Sequence, residues 1–364
     1  MSGADAVTGR TTAARRRVAR RAAVGAVLVG VMAGAMLAPG FDEREVTADD
    51  PSVWALQTTA GQRFGRVNTV VSEVDTVKAV ADPSELVQSG GTLLVYTGNL
   101  GSVTTVDAAR PSDIDASSAD ATVATPLGTD AVVHTEGRVA YLTDAGEVLA
   151  GSIEDGTATA PLAIDPYRDV QVAQGEDRPQ FRASAVAMST TGDVAAYSAE
   201  RRTVLVADAA SGEVERTEHL PDGPADGALQ LAWVGEDWAL LEVETGLLWS
   251  SALEAPAATD ATTAARLQAS GPSRDDVIVA DEFGAISVPL DRGGATRVHG
   301  SRELALGQPA QPRALPGTAI VAGAWLPAGA GPGTLWMSNG TSTQLDYAGA
   351  ELGDRRAPAL RSNG

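Results

Sequence analysis

Short apolar runs recur along this chain, each opening just after a glycine. "TLLVYT" follows Gly90, "RVAYLT" follows Gly137, "DVAAYS" follows Gly192, "DWALLEV" follows Gly235, "DDVIVA" follows Gly271 and "TAIVAGAW" follows Gly317. After a turn, a second run answers each one: "GSVTTVDA", "GEVLAGSI", "TVLVADA", "GLLWSSA", "GAISVPLD" and "GTLWMSN". A more polar strand then closes several units, as in "GEVERTEHL", "ATRVHG" and "STQLDYAG". The pattern has the length of strands, and no sustained helical period interrupts it.

The glycines return about every 45 residues, which accommodates four strands of about six residues with their turns. This predicts an all-β fold, a β-propeller of WD40- or YVTN-like type, although the Gly-His and Trp-Asp marks of strict WD40 repeats are absent. The two ends of the repeat region complement each other. Residues 52–80 read as the second, third and outer strands of a unit with no first strand, and 355–364 as a first strand with no successors. Joined, they close a ring of seven blades and remove an exposed strand edge.

Ahead of the repeats the pattern changes. The basic leader 1–21 holds Arg10, Arg15, Arg16, Arg17, Arg20 and Arg21, and the uncharged stretch 22–41 follows it. Twenty apolar residues in a helix span about 30 Å, one hydrocarbon core. Arginines before the stretch and the acidic "FDERE" after it orient the N-terminus to the cytoplasm and the body outside. The expected organisation is a cytoplasmic tail 1–21, a transmembrane signal-anchor helix 22–41, a linker 42–50 and a propeller ectodomain 51–364. A cleaved signal peptide ending at "AGA" (33–35) is the alternative.

Charge narrows the choice of partner. Beyond residue 21 the chain carries 21 basic against 46 acidic side chains, a formal −25. Such a body repels nucleic acid, so none is expected as a partner. With no cysteine, thiolate chemistry and Cys-ligated metals are excluded.

The anchor, then "DDPSVWALQ…GRVNTVV", "AVAMSTTGDVAAYS…VLVADAASGEV" and "PALRSNG", resembles the N-terminal part of large actinobacterial membrane proteins. In that family a propeller-like region precedes fibronectin type III or Ig-like domains. The resemblance implies an envelope protein, here without those domains, with a truncated chain as the rival to the closed ring. It carries no catalytic signature.

Candidate chemistry is sparse. His134, His219 and His299 each stand alone, which favours structural roles over metal ligation. Asp107, Asp208 and Asp291 recur at third-strand ends and suit Asx-turns better than a cation ring. Asp113, Asp115, Ser117 and Asp120 begin like a calcium loop but lack its glycine and closing glutamate. Asp275–Asp276 and Glu242/Glu244 could imitate a glycosidase pair, yet neighbours on one strand rarely converge on a substrate. "GAGPG" (329–333) lacks the Lys-Ser/Thr of a phosphate loop. Trp249 and Trp336 share one repeat position and, with Trp233, Trp238 and Trp325, read as packing between blades rather than sugar platforms.

One connection combines aromatic and basic residues in this acidic body. "DPYRDVQVAQGEDRPQFR" (165–182) holds Tyr167, Arg168, Arg178, Phe181 and Arg182. Long loops carry recognition and this composition suits contact surfaces, against the plain alternative of a packed surface loop. The leading expectation is a non-enzymatic module that binds an envelope protein or glycan, with no cofactor and no metal. The rivals are an exported propeller hydrolase or lyase acting on glycans, and a sensor that signals through a partner.

Overall fold

The structure is a computed structural model. It describes residues 53–57, 62–68, 73–89, 91–135, 137–154, 157–171, 173, 175–272, 274–315, 318–327, 332–345 and 359–361. The expected anchor at 22–41 lies outside them, as does most of "GAGPG". No helix among the described residues is long and apolar enough to cross a membrane.

The described strands form seven antiparallel sheets, one per repeat, so the chain is a seven-bladed all-β propeller. Blade 1 draws on both ends of the repeat region. Ala359–Arg361 pairs with Val53–Gln57, in register Trp54 to Arg361, and Arg63–Asn68 and Glu73–Ala79 complete the sheet. Blade 2 is Pro83–Ser89, Thr92–Thr97, Ser102–Asp107 and Thr122–Ala124, and blade 3 is Thr129–Thr135, Arg138–Thr143, Val148–Glu154 and Thr157–Ala163. Blade 4 is Ala185–Met188, Asp193–Ser198, Thr203–Asp208 and Val214–His219, and blade 5 is Leu229–Val234, Asp237–Glu242, Leu247–Ser250 and Ala257–Ala258. Blade 6 is Arg266–Leu267, Asp276–Asp281, Gly284–Pro289 and Thr296–Gly300. In blade 7 two short pieces, Gln308–Pro309 and Arg313–Ala314, share the first-strand position beside Val321–Leu326, Gly333–Met337 and Ser342–Leu345.

The second strands are the apolar runs of the repeat, and they are buried because both sheet faces meet a neighbouring blade. Val194 to Tyr197 and Val277 to Ala280 are 1% exposed or less. The core therefore lies between blades. Trp233, Trp238 and Trp249 of blade 5 pack on Val204 and Val206 of blade 4, and Trp325 and Trp336 of blade 7 pack on Ile278 and Ala280 of blade 6. All five tryptophans are 7% exposed or less, as inter-blade packing requires. Of the glycines that opened the repeat, Gly137 (φ 72°), Gly192 (φ 100°) and Gly235 (φ 67°) sit in first hairpins and take conformations that other residues resist.

Glutamines on first strands stitch neighbouring blades together. Trp54 Nε1 donates to Gln88 Oε1 (2.8 Å) between blades 1 and 2. Gln230 of blade 5 accepts from Leu267 N (2.8 Å) and donates to Ala265 O (3.0 Å), which supplies backbone partners to the short first strand of blade 6.

A candidate binding loop on one face of the propeller

Strand alternation sorts the connections onto two faces. Turns between first and second strands, such as 189–192 and 235–236, open on one, here the turn face. Turns between second and third strands and most blade-to-blade crossings open on the other, the loop face. The segment 165–182 is the crossing from blade 3 to blade 4, so it lies on the loop face.

Its start is fixed by an Asx-turn: Asp165 Oδ1 accepts from Tyr167 N (2.9 Å). Arg178 Nε donates to Tyr167 O (2.7 Å), drawing the far end of the loop back to its beginning. Arg201, from the second-to-third-strand turn of blade 4, sets its guanidinium 4.7 Å from the Tyr167 ring centroid and donates to Gln180 O (3.2 Å). Such a stack contributes about 0.5–1 kcal/mol near a surface. Ala183 N closes the segment on Gly146 O (2.8 Å).

The five residues expected to form a contact surface divide. Arg168, Arg178 and Arg182 are exposed, and Tyr167 is half-buried beneath Arg201. Phe181 points inward. At 6% exposure it joins the core between blades 3 and 4 with Leu142, Val148 and Val186, so it anchors the loop instead of offering surface. Burial alternates over Phe181, Ala183 and Ala185, with Arg182 and Ser184 outward, so Phe181 belongs to the extended lead-in of a strand.

Arginines elsewhere are handled differently. Arg297 makes two bonds of 2.8 Å to Asp281, which is fully buried. Arg274 binds Asp276 (2.7 Å) and reaches Ala319 O and Ser338 Oγ of blade 7. On the loop face Arg178, Arg182, Arg201 and Arg202 form no ion pair among the described residues, and Arg168 approaches only Asp169, at 3.9 Å. Arg201 has no counterpart in the sequence reading. The signal was its arginine doublet on the turn beside the long crossing.

The remaining candidates resolve into structural roles. Asp107 accepts from Ala109 N, and Asp208 from Ala210 N, Ser211 N and Ser211 Oγ, both as expected for turns. The Ser211 amide and hydroxyl hold the Asp208 carboxyl below its usual pKa. Asp291 departs from that pattern and meets Arg292 (3.0 Å). Asp115 caps a 3-10 helix, Ala116–Ala121, in a capping box with Ser118, and Ser117 lowers its pKa. Asp113 accepts from Ala79 N (2.8 Å). Glu244 takes Ala228 N while Glu242 takes Thr245 Oγ1, so that pair does not act together.

His134 lies in the first strand of blade 3, and His219 ends the outer strand of blade 4. His299 is stacked on Trp336 (5.7 Å, 18°) beside Trp325 (5.4 Å), and burial lowers its pKa. No group of three or more His, Asp or Glu placed to hold a metal occurs among the described residues. A recurrence unremarked in the sequence is the aspartate opening the second strands of blades 4, 5 and 6. Asp193 accepts from Ser189 and Thr191, Asp237 from Ser251 and Asp276 from Ser287. Two of these, with Asp275 and Asp291, line a groove of about 900 Å³ on the turn face between blades 5 and 6.

No protein-family model and no curated protein matches the chain. Among solved structures it is similar to the β-propeller domain of Cps50 (Swd1) from Myceliophteria thermophila, at 11% identity, TM-score 0.52, over 76% of this chain and 90% of that one. It is also similar to the dihydro-heme d1 dehydrogenase NirN in complex with DHE, at 11% identity, TM-score 0.50, over 90% of this chain and 78% of that one. At such identities the likeness extends to the fold alone.

Proposed function

We propose that this chain is a membrane-anchored, extracytoplasmic propeller that serves the cell envelope as a non-enzymatic binding module, taking a protein or glycan through the 165–182 loop. The carrying observation is that the loop is fixed at both ends while Arg168, Arg178 and Arg182 stay exposed. A fixed loop has already lost the conformational freedom that binding would otherwise cost. The arginine leader and the stretch 22–41 support the anchor and the orientation.

The full chain in detergent micelles should co-sediment with isolated cell envelopes, and the R168A/R178A/R182A variant should lose most of that binding. Equal sedimentation of the two proteins would refute the reading. The second reading, an exported enzyme acting on glycans, draws on the turn-face groove and its carboxylates. Asp276 is already held there by Arg274 and Ser287, and Asp237 by Ser251, which favours the binding module.

A further inference from the structure

The loop-face arginines belong to a longer strip. Leu127, 99% exposed, sits on the crossing from blade 2 to blade 3. Its neighbour Gly128 lies against the Asp144 side chain, and Gly146, two residues on, lies against Arg182. From Arg182 the strip continues through Gln180 to Arg201, Tyr167 and Arg178. Val170, on the same loop, is 43% exposed. Among the described residues, the large exposed apolar side chains lie either on outer strands (Val77, Val123, Leu162, Val298) or on the loop face (Leu127, Val170, Leu304). The described residues of the turn face show none.

The same strip has carboxylates to hand. Asp144, Asp169, Glu176 and Asp177 are exposed on these connections. Even so, Arg178, Arg182 and Arg201 pair with none of them. Arg178 and Arg201 spend one donor each on a backbone carbonyl, which leaves most of each guanidinium fork open. Open forks match external carboxylates bidentately, and an exposed apolar side chain on the same face matches a polypeptide better than a hydroxyl-covered sugar.

We propose that this strip docks an acidic segment of a partner protein, in which carboxylates meet Arg178, Arg182 and Arg201 and an apolar side chain covers Leu127. The proposal rests on the binding-module reading and narrows its partner to protein. The test uses the full chain in detergent with two fluorescent probes, a peptide of alternating Glu and Leu and a polygalacturonate of matched charge, followed by anisotropy.

The peptide should bind more tightly than the polyuronate and weaken as salt rises. R178E/R182E should lose about tenfold or more in affinity, equivalent to about 1.4 kcal/mol, and L127S should weaken the peptide alone. D275N/D291N, on the turn face, should bind as the parent does. Absence of peptide binding, or binding indifferent to R178E/R182E, overturns the proposal. Preference for the polyuronate with the same arginine dependence also overturns it, while leaving the binding-module reading standing. Envelope co-sedimentation independent of the three loop arginines would instead remove that reading itself.

Discussion

Arginine does opposite work on two sides of this propeller. In blade 6, Arg297 is 16% exposed and grips a carboxylate that is fully buried, while Arg274 ties blade 6 to blade 7. On the loop face, Arg178 and Arg182 are exposed and meet no carboxylate of the chain among the described residues. The difference lies in what removal would leave behind. Asp281 without Arg297 is a desolvated carboxylate with no counter-charge, left with the Phe283 amide alone (3.0 Å), whereas the loop-face arginines leave only solvated neighbours. A charged residue can thus be part of the seam or part of the offered surface, and burial of its partner decides which.

The largest effect expected from breaking this contrast is R297A. Stranding the Asp281 carboxylate should cost about 3–5 kcal/mol, seen as a lowered denaturation midpoint. Removing both charges in D281N/R297M should recover part of it. A loss under about 1 kcal/mol for R297A would mean the pair contributes little more than a surface ion pair.

Next in size is the response to alkali, which probes seams rather than faces. Burial pushes Tyr141 and Tyr197 up to about 12, and Tyr96, which hydrogen-bonds Tyr141, also well above its usual value. These phenols stay protonated in the folded state while the unfolded chain ionises near 10. Their stabilisation is therefore intact below pH 10 and is lost as pH rises toward 12. Unfolding curves at pH 9 and 11 should show the midpoint falling, with phenolate absorbance near 295 nm appearing together with unfolding. Early ionisation without loss of structure would contradict the buried seams.

R182A defines the small end. With no partner to strand, it should shift stability by no more than about 0.5 kcal/mol while weakening envelope co-sedimentation. A large loss of stability would place Arg182 with Arg297, as part of the frame.

Much of the frame was legible in order of residues. Short, continuously apolar runs returning about every 45 residues marked the blades, because each second strand packs on both faces. The aromatic–arginine composition of 165–182 marked the crossing. Pairings across distance were not legible. Asp281 finds Arg297 across an intervening strand, and Arg201 finds Tyr167 only after two blades pack side by side. Phe181 was legible in principle, since its alternation with Ala183 and Ala185 places it inward, but its position among loop arginines disguised it.

The contrast between the two sets of arginines is open to direct measurement by phenylglyoxal labelling of the full chain, followed by peptide mass spectrometry over time. Arg168, Arg178 and Arg182 should label early, and Arg274 and Arg297 should stay protected until the protein unfolds. Equal rates for the two sets, or protection of Arg182, would contradict the account.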